Sequence, residues 1–239
     1  MRNLRYLAFL LISVVGCHYD EPVTELKNVI APIIFTANPI LADGKSSSTL
    51  QVTFPVDIVG NQAPVEFRTT DGTFAESGKD VITVNGDLVD KSSIIQRIAK
   101  ATLVSSIKVG KAYITARSAG YARSDSIDFV QACPDSLWII PDKLFFKAAP
   151  DSEVKFTVEL MRGSGKISLN TLVNMFVIGT DNKKKGMFRE YRNRSDENGK
   201  CYFTFTLGQD VYTGPLSVQV IVQQNLCTAM KTIQIVATQ

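Results

Sequence analysis

The chain has 239 residues and a formal net charge of +3, from 26 Lys and Arg against 23 Asp and Glu. So small an excess gives no broad electrostatic case for nucleic acid as a partner. A composition of 45% apolar and 21% charged residues is that of an ordinary globular protein.

The chain opens Met1-Arg-Asn-Leu-Arg5, then runs apolar from Tyr6 to Val15. Two positive charges, an apolar run and a small residue at Gly16 are the layout of a secretory signal peptide. The run is shorter than the roughly 17–25 residues that cross a bilayer. Val14-Val15-Gly16-Cys17 resembles the lipobox of bacterial lipoproteins. The resemblance implies that 1–16 is removed, that Cys17 carries lipid on its sulfur and its amine, and that the protein is held in the cell envelope at the outer membrane, with palmitate-type chains as the anchor. The alternative is a plain secretory signal with an incidental cysteine. Each buried methylene contributes ~0.8 kcal/mol, and more than one acyl chain gives stable anchoring. Residues 17–29 then read as the lipidated cysteine and a short tether.

From Ile30 the sequence alternates in short runs. Leu50, Val52 and Phe54 share one side of a strand against Gln51 and Thr53, and Ala112, Ile114 and Ala116 repeat the pattern. Asp43-Gly44, Asp71-Gly72 and Asn85-Gly86 mark turns. Ser92–Ala101 is read as strand, with a helical turn as its alternative. A second set of strands begins near Cys133: Val154, Phe156, Val158 and Leu160; then Cys201, Phe203, Phe205 and Leu207; then Leu216, Val218, Val220 and Val222. Many short alternating strands predict an all-β fold of two tandem sandwiches, 30–131 and 132–239, meeting at a short joint over Gln131–Pro134.

Four segments in order, "ILADGKSSSTLQVTF" (40–54), "VEFRTTDGTF" (65–74), "AKATLVSSIKVGKAYITARSAG" (99–120) and "SIDFV" (126–130), resemble the bacterial Ig-like domain of the invasin/intimin type. The longer "NGDLVDKSSIIQRI" replaces that family's usual turn before the Ala-rich strand. "SDENGKCYFTFTLG" (195–208) resembles one piece of the same pattern, so the second half is read as a divergent Ig-like sandwich. In such sandwiches the first and last strands often run side by side, which implies a Cys133–Cys227 disulfide in an exported protein. Cys201 is in phase with Phe203 and Phe205 and is expected in the core as a small hydrophobe. Three unpaired thiols are the alternative.

Chemistry is sparse. His18 is the one histidine and sits beside the lipidation site, so no Ser-His or Cys-His pair can be assembled in a folded domain. No closely spaced ligand set suits zinc, and Asp196-Glu197-Asn198 lacks the regular spacing of a calcium loop. Asp71, Asp181 and Asp196 sit at turns. The chain is therefore expected to be no enzyme and to hold no cofactor or metal. Its one notable surface segment is "DNKKKGMFREYRNRSDENGK" (181–200), in which Lys183, Lys184, Lys185, Arg189, Tyr191, Arg192 and Arg194 form a candidate patch for a protein or acidic-glycan partner. The alternative is a solvated hairpin that discourages edge pairing. Trp138, within "SLWIIP", is assigned to the core. Together these features predict a non-catalytic envelope lipoprotein whose Ig-like modules serve surface adhesion or hold a binding surface off the membrane. The rivals are a subunit docking onto a larger envelope complex and a carbohydrate-binding accessory lipoprotein.

Overall fold

A computed structural model describes residues 30–55, 64–91, 94–209, 212–224 and 226–239. The leader, Cys17 and the tether lie outside the described residues. The first ten strands are β1 (Ile34–Phe35), β2 (Ile40–Leu41), β3 (Ser47–Pro55), β4 (Pro64–Thr69), β5 (Thr73–Phe74), β6 (Val81–Asn85), β7 (Asp87–Lys91), β8 (Ile94–Val104), β9 (Gly110–Ser118) and β10 (Tyr121–Val130). They form one sheet in the order β1-β3-β8-β5, with β7 also on β8, and a second in the order β2-β10-β9-β4-β6. Leu50, Val52, Phe54, Phe67, Phe74, Ala99, Ala101, Leu103, Ile114, Ile127 and Phe129 fill the space between them. From Ile94 on, the segment left open between strand and helix is strand, Ser92 and Ser93 lying outside the described residues: β8 runs antiparallel to β3, with Ala99, Ala101 and Leu103 facing the core.

The remaining strands are β11 (Ser136–Pro141), β12 (Phe145–Lys147), β13 (Glu153–Met161), β14 (Val173–Gly179), β15 (Met187–Arg192), β16 (Lys200–Thr206), β17 (Gly214–Gln224) and β18 (Cys227–Thr238). Their sheets are β11-β13-β16-β15 and β12-β18-β17-β14. The inward set is the one that period-two alternation marks: Val154, Phe156 and Val158 from β13, Cys201, Phe203 and Phe205 from β16, and Leu216, Val218, Val220 and Val222 from β17. The chain is all-β, and no helix occurs among the described residues.

The two sets of sheets meet through main-chain and hydroxyl hydrogen bonds. The loop between β13 and β14 lies against two loops of the first half. Lys166 donates its N–H to the Asp43 carbonyl at 2.7 Å, and Leu169 donates to the Ile107 carbonyl at 2.8 Å. Ser168, 0% exposed, sits at the centre. Its hydroxyl donates to the Ala42 carbonyl at 2.8 Å and accepts the Ala132 N–H at 2.8 Å. The Ser168 carbonyl accepts the hydroxyls of Thr171 and Ser195 at 2.7 and 3.1 Å. One serine thus ties the first half, the connecting segment and the second half together. Gly165 is required beside it: its φ is +73°, and a Cβ there would lie 2.7 Å from Asp43 Oδ2.

Cys133 and Cys227 form a disulfide across 94 residues of sequence. It pins the chain just after the joint to the start of β18. Closing so long a loop restricts the unfolded chain and contributes roughly 4–5 kcal/mol in the chain-entropy model. Replacing both cysteines with serine is expected to lower the unfolding free energy by about that amount in urea titrations. A change under about 1 kcal/mol would show that the loop is already restricted in the unfolded chain.

Candidate functional site

The joint carries the most buried charge. Asp43 is 4% exposed, in the loop that receives Lys166. Burial alone would raise its pKa. The amides of Ser46 and Lys45 at 2.6 and 2.9 Å, the Ser46 hydroxyl at 3.0 Å and the charge of Arg162 outweigh that effect, so the carboxyl is held below its ordinary value. Lys45 also reaches across to the Ser164 hydroxyl at 3.3 Å, and Arg162 donates to the Cys133 carbonyl at 3.0 Å. Asp43 read as a turn residue in the sequence; it is also a buried anchor of the joint.

The basic segment is drawn out along one edge of the second half. Lys183–Lys185 lie in the turn between β14 and β15. Lys185 pairs with Asp181 at 2.9 Å, and the Lys184 ammonium stands 4.5 Å from the Phe176 ring centre. Arg189 pairs with Glu153 at 3.2 Å. Tyr191, 62% exposed, and Arg192 lie on β15, the edge strand of its sheet. Arg194 is at the far end, donating to the Asn170 carbonyl at 3.1 Å. The seven residues therefore form a strip, with two of its six cations paired to carboxylates, rather than a single cluster.

Trp138 is not in the core. Leu137 and Ile139 take the inward positions of β11, which sends Trp138, 54% exposed, and Ile140 to the outer face. "SLWIIP" is apolar in both phases, so alternation could not say which set turns inward. On the outer face the register aligns Ile140, Thr157, Tyr202 and Arg192 in one row. Trp138, Glu159 and Lys200 form the next, with Lys200 and Glu159 paired at 2.7 Å. Lys231 lies 5.9 Å from the Trp138 ring centre. This face mixes aromatic surface with paired charges, and a depression of about 410 Å³ on it is lined by Thr157, Tyr191, Arg192 and Tyr202 among others.

No group of three or more His, Cys, Asp or Glu side chains suited to a metal ion occurs among the described residues. Cys201 is buried at the centre of the second core. Burial, with a smaller contribution from the Asp196 charge, pushes its thiol up to about 12, so it is inert as a nucleophile near neutral pH. Asp196 caps its own turn, accepting the Asn198 and Lys200 amides at 2.9 Å each.

No protein-family model matches the chain, and no curated protein does. Among solved structures it is similar to invasin, titled a bacterial integrin-binding protein, with a TM-score of 0.58 and 18% identity over 87% of this chain and 39% of that one. It is also similar to the Yersinia pseudotuberculosis adhesin InvE, with a TM-score of 0.55 and 14% identity over 88% of this chain and 59% of that one. The fold is the invasin-type Ig-like fold. The chain spans 39% of invasin and 59% of InvE, less than two thirds of each, and at these identities the likeness concerns architecture.

Asp43 gives the joint a pH signature. A carboxyl held low in the folded state contributes stability that is complete above the ordinary Asp range, near pH 4, and is lost as pH falls through its lower folded value. Asp43→Asn is expected to cost about 1.5–3 kcal/mol at pH 7, the worth of hydrogen bonds to a charged group. The gap between wild type and variant should shrink below about pH 4. Denaturant titrations from pH 7 to pH 2 check this, and a gap constant across that range would contradict it.

Proposed function

We propose that the chain is a non-catalytic module of the bacterial cell envelope, anchored through lipid on Cys17, whose two Ig-like domains, 30–131 and 132–239, hold a protein-binding surface away from the membrane. The observation that carries this reading is the hydrogen-bonded joint around Ser168. A spacer must keep its far end at a fixed distance and orientation, and a buried joint built from main-chain bonds does so where a flexible linker does not. Two further features support it. The leader has the layout of a lipoprotein signal, and the fold is shared with invasin and the adhesin InvE. With the anchor at the N-terminus, the second domain is distal and carries the 181–200 strip and the Trp138 face.

One observation favours a second reading. Trp138 and Tyr202 are exposed on the same outer face, and exposed aromatic rings beside polar groups suit the apolar faces of sugars. A carbohydrate-binding accessory role would use that face rather than the basic strip. Docking onto a larger envelope complex would use the strip with the chain turned toward the periplasm.

Protease treatment of intact cells separates these locations. A surface module is cut from whole cells while the membrane stays closed, and Cys17→Ala is expected to leave the membrane fraction and to lose metabolic fatty-acid label. Full protection in intact cells, with digestion only after the outer membrane is opened, would place the chain on the periplasmic side and defeat the surface reading.

A further inference from the structure

Strands β14 and β15 follow one another but belong to different sheets, and the way they part leaves an opening. Near its N-terminal end β14 is tied to the segment after β15: Val173 donates its N–H to the Asn193 carbonyl at 2.8 Å. Near its other end it is tied to the turn: the Val177 carbonyl accepts the Lys185 N–H at 2.9 Å, and Gly179 donates to the Lys183 carbonyl at 2.9 Å. Main-chain groups of a strand point to alternate sides, so Val173, Met175, Val177 and Gly179 all direct theirs away from β17, toward β15. Midway, β15 has moved to the other sheet to pair with β16. The Met175 N–H and C=O, the Val173 C=O and the Val177 N–H are left with no hydrogen-bond partner among the described residues.

Such groups are costly when shielded, and almost all are paired in folded proteins. Met175 is only 6% exposed. Beside it is a cavity of about 370 Å³, lined by Asn174, Phe176, Phe188, Tyr191, Asn193 and Phe203 among others. The Lys184 ammonium stands 4.5 Å from the ring centre of Phe176, which lines this cavity. Residues 172–194 hold six Lys or Arg against Asp181 and Glu190. Of the six, Lys183, Lys184, Arg192 and Arg194 have no carboxylate partner among the described residues.

We propose that the opening between β14 and β15 is a strand-addition site for an extended acidic peptide segment of a partner protein. The peptide main chain completes the ladder on Met175, Val173 and Val177. An apolar side chain enters the cavity between Phe176 and Tyr191. Alternate acidic side chains meet Lys183 and Lys184, in the turn that closes one end of the opening. This deepens the proposed protein-binding role, on which it rests, by giving the basic strip a main-chain complement and an occupant of defined charge.

The probe is an acetylated octapeptide of alternating Glu and Val, added to the full chain and compared with its Lys/Val counterpart. Amide hydrogen exchange at Met175 and Val177 is expected to slow at least about tenfold with the acidic peptide and not with the basic one. N-methylation of the peptide's central residues, which removes donors without changing charge, is expected to weaken binding about tenfold, the cost of roughly one lost net hydrogen bond. The double variant Lys183→Glu, Lys184→Glu, both on the surface, is expected to lose the preference for the acidic peptide, with unfolding midpoints confirming that it folds. Equal binding of both peptides, no effect of N-methylation, or unchanged Met175 exchange at saturating peptide would overturn the proposal. So would a uronic-acid oligosaccharide that protects Met175 better than the peptide, since the site would then be a glycan site. None of these results bears on envelope location, which protease access to intact cells reads separately.

Discussion

A cluster of buried hydrogen bonds centred on Ser168 joins the two halves of this molecule. Ser168 closes hydrogen bonds to Ala42 in the first half, Ala132 in the connecting segment and, through its carbonyl, Thr171 and Ser195 in the second. These are directional contacts between groups shielded from water. Leaving any one unmade exposes a buried donor or acceptor at a cost of about 1–3 kcal/mol. A small apolar contact between two sandwiches would tolerate sliding, because burial has no preferred direction. This joint does not. The Asp43 carboxylate serves the same end by organising the loop whose carbonyl receives Lys166. Gly165 lets the second loop approach it.

The fixed joint gives meaning to what lies beyond it. The disulfide fastens the chain immediately after the connecting segment to the last strand, so constraint at the joint passes into the second core. The edge formed by β14 and β15 and the Trp138 face are then held in one orientation with respect to the first half. Fixed spacing reduces the orientational freedom a surface module loses on meeting its partner, which favours binding without any additional contact. In the second core, by contrast, Cys201 is sealed from chemistry, and its role is to fill volume.

Period-two alternation made most of the fold legible. Inward residues of β3, β9, β13, β16 and β17 could be read directly from their spacing, because each strand has one apolar and one polar side. The invasin/intimin-type likeness came from turn and strand motifs at fixed intervals, each with a local physical reason. Where both sides of a strand are apolar the signal fails, and Trp138 is the instance: "SLWIIP" fits either phase. The joint was equally illegible. Ser168 and Ala42 are 126 positions apart, and nothing in "KISLNT" distinguishes a buried serine from a loop serine. The opening at Met175 was hidden for another reason. Its unpaired groups are main-chain atoms, which every residue has, and only the divergence of β15 into the other sheet leaves them unmatched. The basic strip was visible by composition, yet its layout along an edge depends on that same divergence.

Residual dipolar couplings of the backbone amides test the joint most directly, because they report the relative orientation of the two halves in solution. In the wild-type chain one alignment tensor is expected to fit the amides of both cores. In Ser168→Ala, which removes the hydroxyl and adds no atoms to a fully buried site, each half is expected to fit its own tensor while both remain folded. Two unequal tensors in the wild-type protein, or a single shared tensor in the variant, would contradict the role assigned to Ser168.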